Sequence, residues 1–235
     1  MESINKTMAK GSSSIGTNIL PDKLRASLHL DHPTVEWRYG KPPSYEAANK
    51  LFEEGRTKVW PKGSLEEKVQ NAAKSWQMEM NHKTRLQDFK TINLQKFMLY
   101  VNGRDEGLSG EEIVKIGSFN AMLKSSLPEE FQYFNTEKEK IESSHQEFKT
   151  CFPRGFAWEV MEVYSGPPLI ALKFRHWGFF EGPFKGHSPT GELIQFFGMV
   201  TFKVDSSMGL EEAHFYYDPG ELFGALLKAK KTPKK

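Results

Sequence analysis

The chain is 235 residues long, and its 32 Lys and Arg nearly balance 30 Asp and Glu, leaving a net charge of +2. That balance removes the broad electrostatic case for nucleic-acid binding. Aromatic residues make up 13% of the chain, too many for a wholly disordered one. The single cysteine, Cys151, excludes an intramolecular disulfide, and no run approaches the ~18 apolar residues of a membrane span.

Residues 1–20 read as a flexible arm, because Gly11-Ser12-Ser13-Ser14 and Gly16 offer little to bury. The start lacks the apolar stretch of a secretory signal, which predicts a cytoplasmic protein whose Asn5-Lys6-Thr7 sequon stays bare. His29-Leu30-Asp31-His32 brings two histidines near an acid, but no further ligand cluster follows, so no metal is expected. Ser44 is placed to cap a helix over Tyr45–Glu54, with Gly55 as its stop. Ser64 with Glu67 forms a capping box, and Leu65, Val69, Ala72, Trp76 and Met80 then recur at helical spacing. Two short strands are predicted at Phe89–Asn93 and Phe97–Val101, before a turn at Asn102-Gly103. Ser109 with Glu112 starts a third helix through Ile113, Ile116, Asn120 and Leu123. Thr136 with Glu139 starts a fourth, through Ile141, His145, Phe148 and Phe152.

After about residue 155 the period changes to two. Strands are predicted over Phe156–Tyr164, Leu169–Phe180, Glu192–Val204 and Leu210–Tyr217, joined by short Gly- and Pro-bearing turns. Consecutive strands with short connections argue for an antiparallel meander, and helices before strands for an α+β class with helices on one face of the sheet. Five lysines in the last eight residues read as a solvated basic tail over residues 228–235.

Phe174-Arg175-His176-Trp177-Gly178, Pro189-Thr190-Gly191-Glu192 and the strand-ending Tyr216-Tyr217-Asp218 form a pattern that resembles the nuclear transport factor 2-like superfamily, in its SnoaL-like polyketide cyclase branch. Three further segments resemble the plant pathogen-related proteins. They are Pro42-Pro43-Ser44-Tyr45 running on to Gly55-Arg56-Thr57, Trp60-Pro61-Lys62-Gly63-Ser64, and Phe152-Pro153-Arg154-Gly155-Phe156. The resemblance spans roughly residues 21–227. It implies a cone-like fold of N-terminal helices packed in a strongly curved, mostly antiparallel sheet, with a pocket between. It also implies a division into an extension over 21–64 and a nuclear transport factor 2-like domain over 65–227. It does not imply one activity, since the superfamily holds cyclases, isomerases, epoxide hydrolases, dehydratases and non-catalytic carriers.

Two residues could carry acid–base chemistry. His176 joins Ile170, Leu172 and Phe174 on one strand face, where a neutral imidazole could exchange protons or be a buried histidine fixed by one hydrogen bond. Asp218 ends a strand whose alternate residues are Glu212, His214 and Tyr216, and it could act as a base or bond its own backbone in the Asp218-Pro219-Gly220 turn. Trp158, Phe197, His214 and Tyr216 are the expected ligand-lining side chains. Cys151 has no paired histidine, and no phosphate loop or dinucleotide fingerprint is present, so no cofactor is expected. Two functions remain: a non-catalytic binding or facilitator protein of plant defence or specialised metabolism, and a cofactor-free cyclase, isomerase or dehydratase. Both imply a hydrophobic small-molecule partner. The first adds biosynthetic enzymes, and the resemblance adds a homodimer formed through the exposed sheet face.

Overall fold

The computed structural model describes residues 34–231 together with Asp22, Leu24 and Arg25. The expected arm over 1–20, the Asn5 sequon and the His29–His32 pair lie outside the described residues. The α+β class is the one expected: among the described residues a first set of helices precedes a six-stranded sheet.

Helix α1 spans Glu46–Gly55 and α2 spans Leu65–His82. Ser64 caps α2 by accepting a hydrogen bond from the Glu67 amide, while the Glu67 carboxylate accepts from the Gly63 amide. Helix α2 is buried on more than one side, because Gln70, Lys74 and Glu79 are covered along with Val69, Trp76 and Met80. The N-cap position of α1 is Tyr45, without a side-chain bond of its own, and Ser44 one residue earlier accepts from the Glu46 amide at 3.5 Å. The Ser109–Glu112 capping box holds, but the helix it starts breaks in two. Helix α3 (Gly110–Ile116) and α4 (Ser118–Leu123) meet at Gly117, whose φ of 86° suits a residue without Cβ. Helix α5 begins at Ile141, not near Thr136, and runs to Cys151. A final helix, α6 (Pro219–Leu227), was not expected; Asp218 is its N-cap and Pro219 opens its first turn.

The strands are β1 (Met98–Val101), β2 (Leu108–Ser109), β3 (Ala157–Ser165), β4 (Leu169–Phe179), β5 (Leu193–Val204) and β6 (Leu210–Tyr217). Phe89–Asn93 forms no strand; a single bridge at Ile92 joins it to Leu210. The sheet order is β2-β1-β6-β5-β4-β3. The meander β3–β6 is antiparallel, as expected, and β1 adds to β6 in parallel. Bulges at Val160/Glu162 and Val163/Ser165 bend the edge strand β3, and one at Lys203/Val204 bends the interior strand β5. The predicted basic tail starts inside the fold, since the Ser188 amide donates to the Lys230 carbonyl and His187 bridges to Lys231.

The pleat decides which face each side chain meets. On β4, Ile170, Leu172 and Phe174 point to the helices, while Arg175 and Trp177 are buried on the opposite face. Over β3 and β4 that second face is covered by the segment before α2, where Leu51 and Phe52 of α1 pack on Ala157 and Trp177. The docking is close: a Cβ on Gly55 would lie 2.1 Å from the Trp177 ring. Gly55→Ala is therefore expected to cost about 1–3 kcal/mol by overpacking. A thermal melt matching the unsubstituted chain would mean that Trp177 is free to yield.

Candidate functional site

Between the helices and the inner face of the sheet lies a cavity of about 120 Å3. Its helical wall comes from Trp76, Met80 and Asn81 on α2, from Ser118 and Met122 on α4, and from Phe148 on α5. The sheet wall is aromatic because alternate positions on four adjacent strands face inward: Trp158 on β3, Phe174 on β4, Phe196 and Phe202 on β5, Phe215 on β6. Leu222 of α6 also lines it. The volume approaches the ~150 Å3 of apolar cavities that admit a benzene ring.

His176 lines this cavity. Its ring stacks on Phe156 at 4.0 Å and on Phe196 at 5.4 Å between centroids. Burial, aided by the nearby Lys74 charge, lowers its pKa to about 3 against a smaller opposing pull from the Ala157 backbone. The imidazole is therefore neutral at pH 7, and its Nδ1 has no hydrogen-bond partner. Tyr217 also lines the cavity, but its hydroxyl donates to the Met122 carbonyl at 2.7 Å, and burial raises its pKa. The Ser118 hydroxyl donates to Asn81 Oδ1. Trp76 is 4% exposed, and its indole N–H has no acceptor. Among the described residues, no carboxylate and no lysine or arginine lines the cavity.

The expected site residues divide between the two faces. His176 and Trp158 line the cavity. Phe197 and Tyr216 stand on the opposite face, 45% and 47% exposed. His214 shares that face, stacked on Tyr100 at 4.4 Å with Nε2 3.2 Å from Glu212 Oε2. The reason is register: Phe196 and Phe202 face inward, so Phe197 cannot, and Phe215 inward forces Tyr216 outward. Asp218 does not join His176 either. It is exposed, and its Oδ1 accepts from the Gly220 amide at 2.7 Å, holding the first turn of α6. Tyr217, Trp76 and Phe202 are the inner-face residues that the strand parity of Phe215 and the helical spacing of Met80 could have indicated.

Other groups belong to the framework. Burial pushes the Cys151 thiol up to about 12, and the cysteine is fully covered. Among the described residues no cluster of His, Cys, Asp and Glu could hold a metal ion, and no helix is long and apolar enough to cross a membrane.

No family model matches the chain. A pathogen-related protein from Hordeum vulgare is 48% identical to it over 211 residues, covering 88% of this chain and 89% of that protein. Among solved structures, a candidate polyketide cyclase from Acidithiobacillus ferrooxidans is similar at 13% identity and a TM-score of 0.42. The match covers 73% of this chain and all of that one. A phenazine biosynthesis-related protein from Pseudomonas aeruginosa is similar at 14% identity and a TM-score of 0.37, over 73% of this chain and 92% of its own. Likenesses this distant carry no chemistry across.

Proposed function

Because the chain belongs to the pathogen-related protein family, we propose that it is a binding protein of plant defence or specialised metabolism. It holds an apolar, ring-bearing metabolite in the aromatic cavity without transforming it, alone or in support of biosynthetic enzymes. The observation that carries this reading is the separation of the two groups that acid–base chemistry would need. His176 lies in the cavity as a neutral imidazole, while Asp218 is exposed and occupied as a helix cap. A proton-transfer site needs its acid and base within hydrogen-bond reach of one substrate. An imidazole with a pKa near 3 is also a poor base for a step run at pH 7. In this reading the exposed sheet face around Phe197, Met199 and Tyr216 is where a second copy or an enzyme partner would dock.

The test is to incubate the purified chain with a plant metabolite extract. Compounds that stay with it through gel filtration are then identified by mass spectrometry, alongside a search for conversion. A retained apolar compound with unchanged extract composition is the expected result. Consumption of one compound and appearance of another with intact but not boiled protein would overturn it. In that case the cyclase, isomerase or dehydratase reading takes its place, and His176→Gln becomes the next variant to assay.

A further inference from the structure

We propose that the cavity takes an uncharged ring compound bearing an oxygen that accepts a hydrogen bond from the Trp76 indole N–H, with His176 as a second, neutral contact. This rests on the reading of the cavity as a binding site and narrows the ligand within it.

Trp76 is fixed from several directions. Its ring stacks on Phe215 at 5.9 Å and meets Phe97 and Phe202 edge-on at 5.8 and 6.0 Å. An indole nitrogen can only donate, and a buried donor without an acceptor is costly. The residue lines the cavity, and no protein group accepts from it. The hydroxyls of the lining behave differently: that of Tyr217 is taken by Met122 and that of Ser118 by Asn81. Among the described residues, the fully covered polar atoms of the lining without a partner are Trp76 Nε1 and His176 Nδ1, and the side-chain amides of Gln77 and Asn81 stand in the same lining. Trp177 also has an unpartnered indole nitrogen, but it packs under α1 on the far face of the sheet and is irrelevant to the cavity.

The charge of the ligand follows from the same lining. Lys74 is buried nearby, yet it does not line the cavity; burial holds its pKa well below the usual lysine value, and its Nζ donates to the Trp158 carbonyl at 2.9 Å and lies 3.6 Å from the Phe52 ring centre. A carboxylate or phosphate in the cavity would meet a wall of rings and neutral polar groups, with no cation in the lining to offset its desolvation. The two polar points also stand apart. Trp76 stacks on Phe215, which pairs with Val200, whereas His176 pairs with Phe196. Four residues of strand separate those partners, roughly 13 Å. A ring compound of the size this cavity admits places its oxygen at one of the two points.

The experiment is calorimetric titration of the full chain at pH 7.5 with toluene, 4-methylanisole and p-cresol. These are similar in size and carry no oxygen, an accepting oxygen, and an accepting and donating oxygen respectively. Both oxygenated probes are expected to bind at least as tightly as toluene. In Trp76→Phe, which keeps a ring and removes the donor, each should lose about tenfold relative to toluene. In His176→Phe the ratio of 4-methylanisole to toluene should hold. A purely apolar cavity would reject p-cresol by about tenfold, since its hydroxyl would be buried unpaired. That result overturns the proposal while leaving a binding site for hydrocarbons. An unchanged ratio in Trp76→Phe also overturns it. Should none of the three bind, the binding-site reading falls with it. Rejection of p-cresol by the unsubstituted chain overturns the proposal even if a variant fails to fold.

Discussion

Replacing Glu159 with alanine is expected to destabilise the fold by about 3–5 kcal/mol, the cost of removing one partner of a buried ion pair. Glu159 is fully buried on β3. Its Oε1 accepts from the Thr57 and Lys58 amides, the latter at 2.8 Å, and Oε2 lies 3.3 Å from Arg175. Arg175 is itself buried, donates to Gln195 and to the Gly55 carbonyl, and stacks on Trp177. One carboxylate thus pins the chain between α1 and α2 to the sheet and balances a guanidinium beneath it. Alanine would leave that guanidinium without its counter-charge and two amides without an acceptor. Glu159→Gln keeps one accepting oxygen and should recover part of the loss. Denaturant unfolding measures the energy, and limited proteolysis around residues 56–60 reports whether the segment comes away. Should the alanine variant unfold at the same denaturant concentration as the unsubstituted chain, the anchoring role is wrong.

Acid should weaken the protein through two covered histidines. Burial lowers His176 to about 3, with the Lys74 charge adding to it. Burial also lowers His82 to about 3, reinforced by the charges of His145, Arg25, Arg38 and Lys149. Both are neutral in the folded chain, whereas an unfolded histidine takes a proton below about pH 6.5. Between those values the unfolded chain binds more protons, so stability is full above pH 6.5 and is lost as pH falls towards 3. At pH 5 the loss is about 2 kcal/mol for each residue, about 4 kcal/mol together. For a chain of this size that lowers the melting temperature by roughly 8–16 °C between pH 7.5 and pH 5. The double substitution His82→Asn with His176→Gln should flatten the acid limb. A melting temperature constant over that range would mean that both imidazoles titrate near their ordinary value.

The strand half of the fold was legible because period two survives through most of it: β6 matches its predicted bounds, β4 and β5 differ by one residue at one end, and β3 is shifted by one residue at both. Caps located two helix starts, at Ser64 and Ser109, because the serine side chain answers a specific backbone amide. The α6 helix was hidden by Asp218-Pro219-Gly220, which serves equally as a turn and as an N-cap followed by Pro, although Leu222, Phe223 and Leu226 repeat at helical spacing. The site was half legible. His176 and Trp158 stand on the inner face. Phe196-Phe197 and Tyr216-Tyr217 are adjacent aromatic pairs, so composition alone cannot say which member faces in, and a choice shifted by one residue inverts the face. The covered far side of the sheet explains the rest. Arg175 and Trp177 look like solvent-facing partners of a buried row until α1 is laid over them.

The parallel pairing of β1 with β6 has a consequence for the order in which the molecule is made. Val101 pairs with Phe215, and the neighbouring Tyr217 amide reaches Asn102, 115 residues back along the chain. Every helix from α1 to α5 leaves the ribosome before any strand of the meander, and β1 waits without its partner until β6 emerges. The apolar faces of Trp76, Met80 and Phe148 therefore stay uncovered through most of synthesis, and contacts this distant in sequence are slow to form. A chain that stops short of residue 210 has α1 to α5 and most of the sheet wall but neither α6 nor the strand that joins β1 to the meander, and such a fragment should be retained by chaperones rather than released.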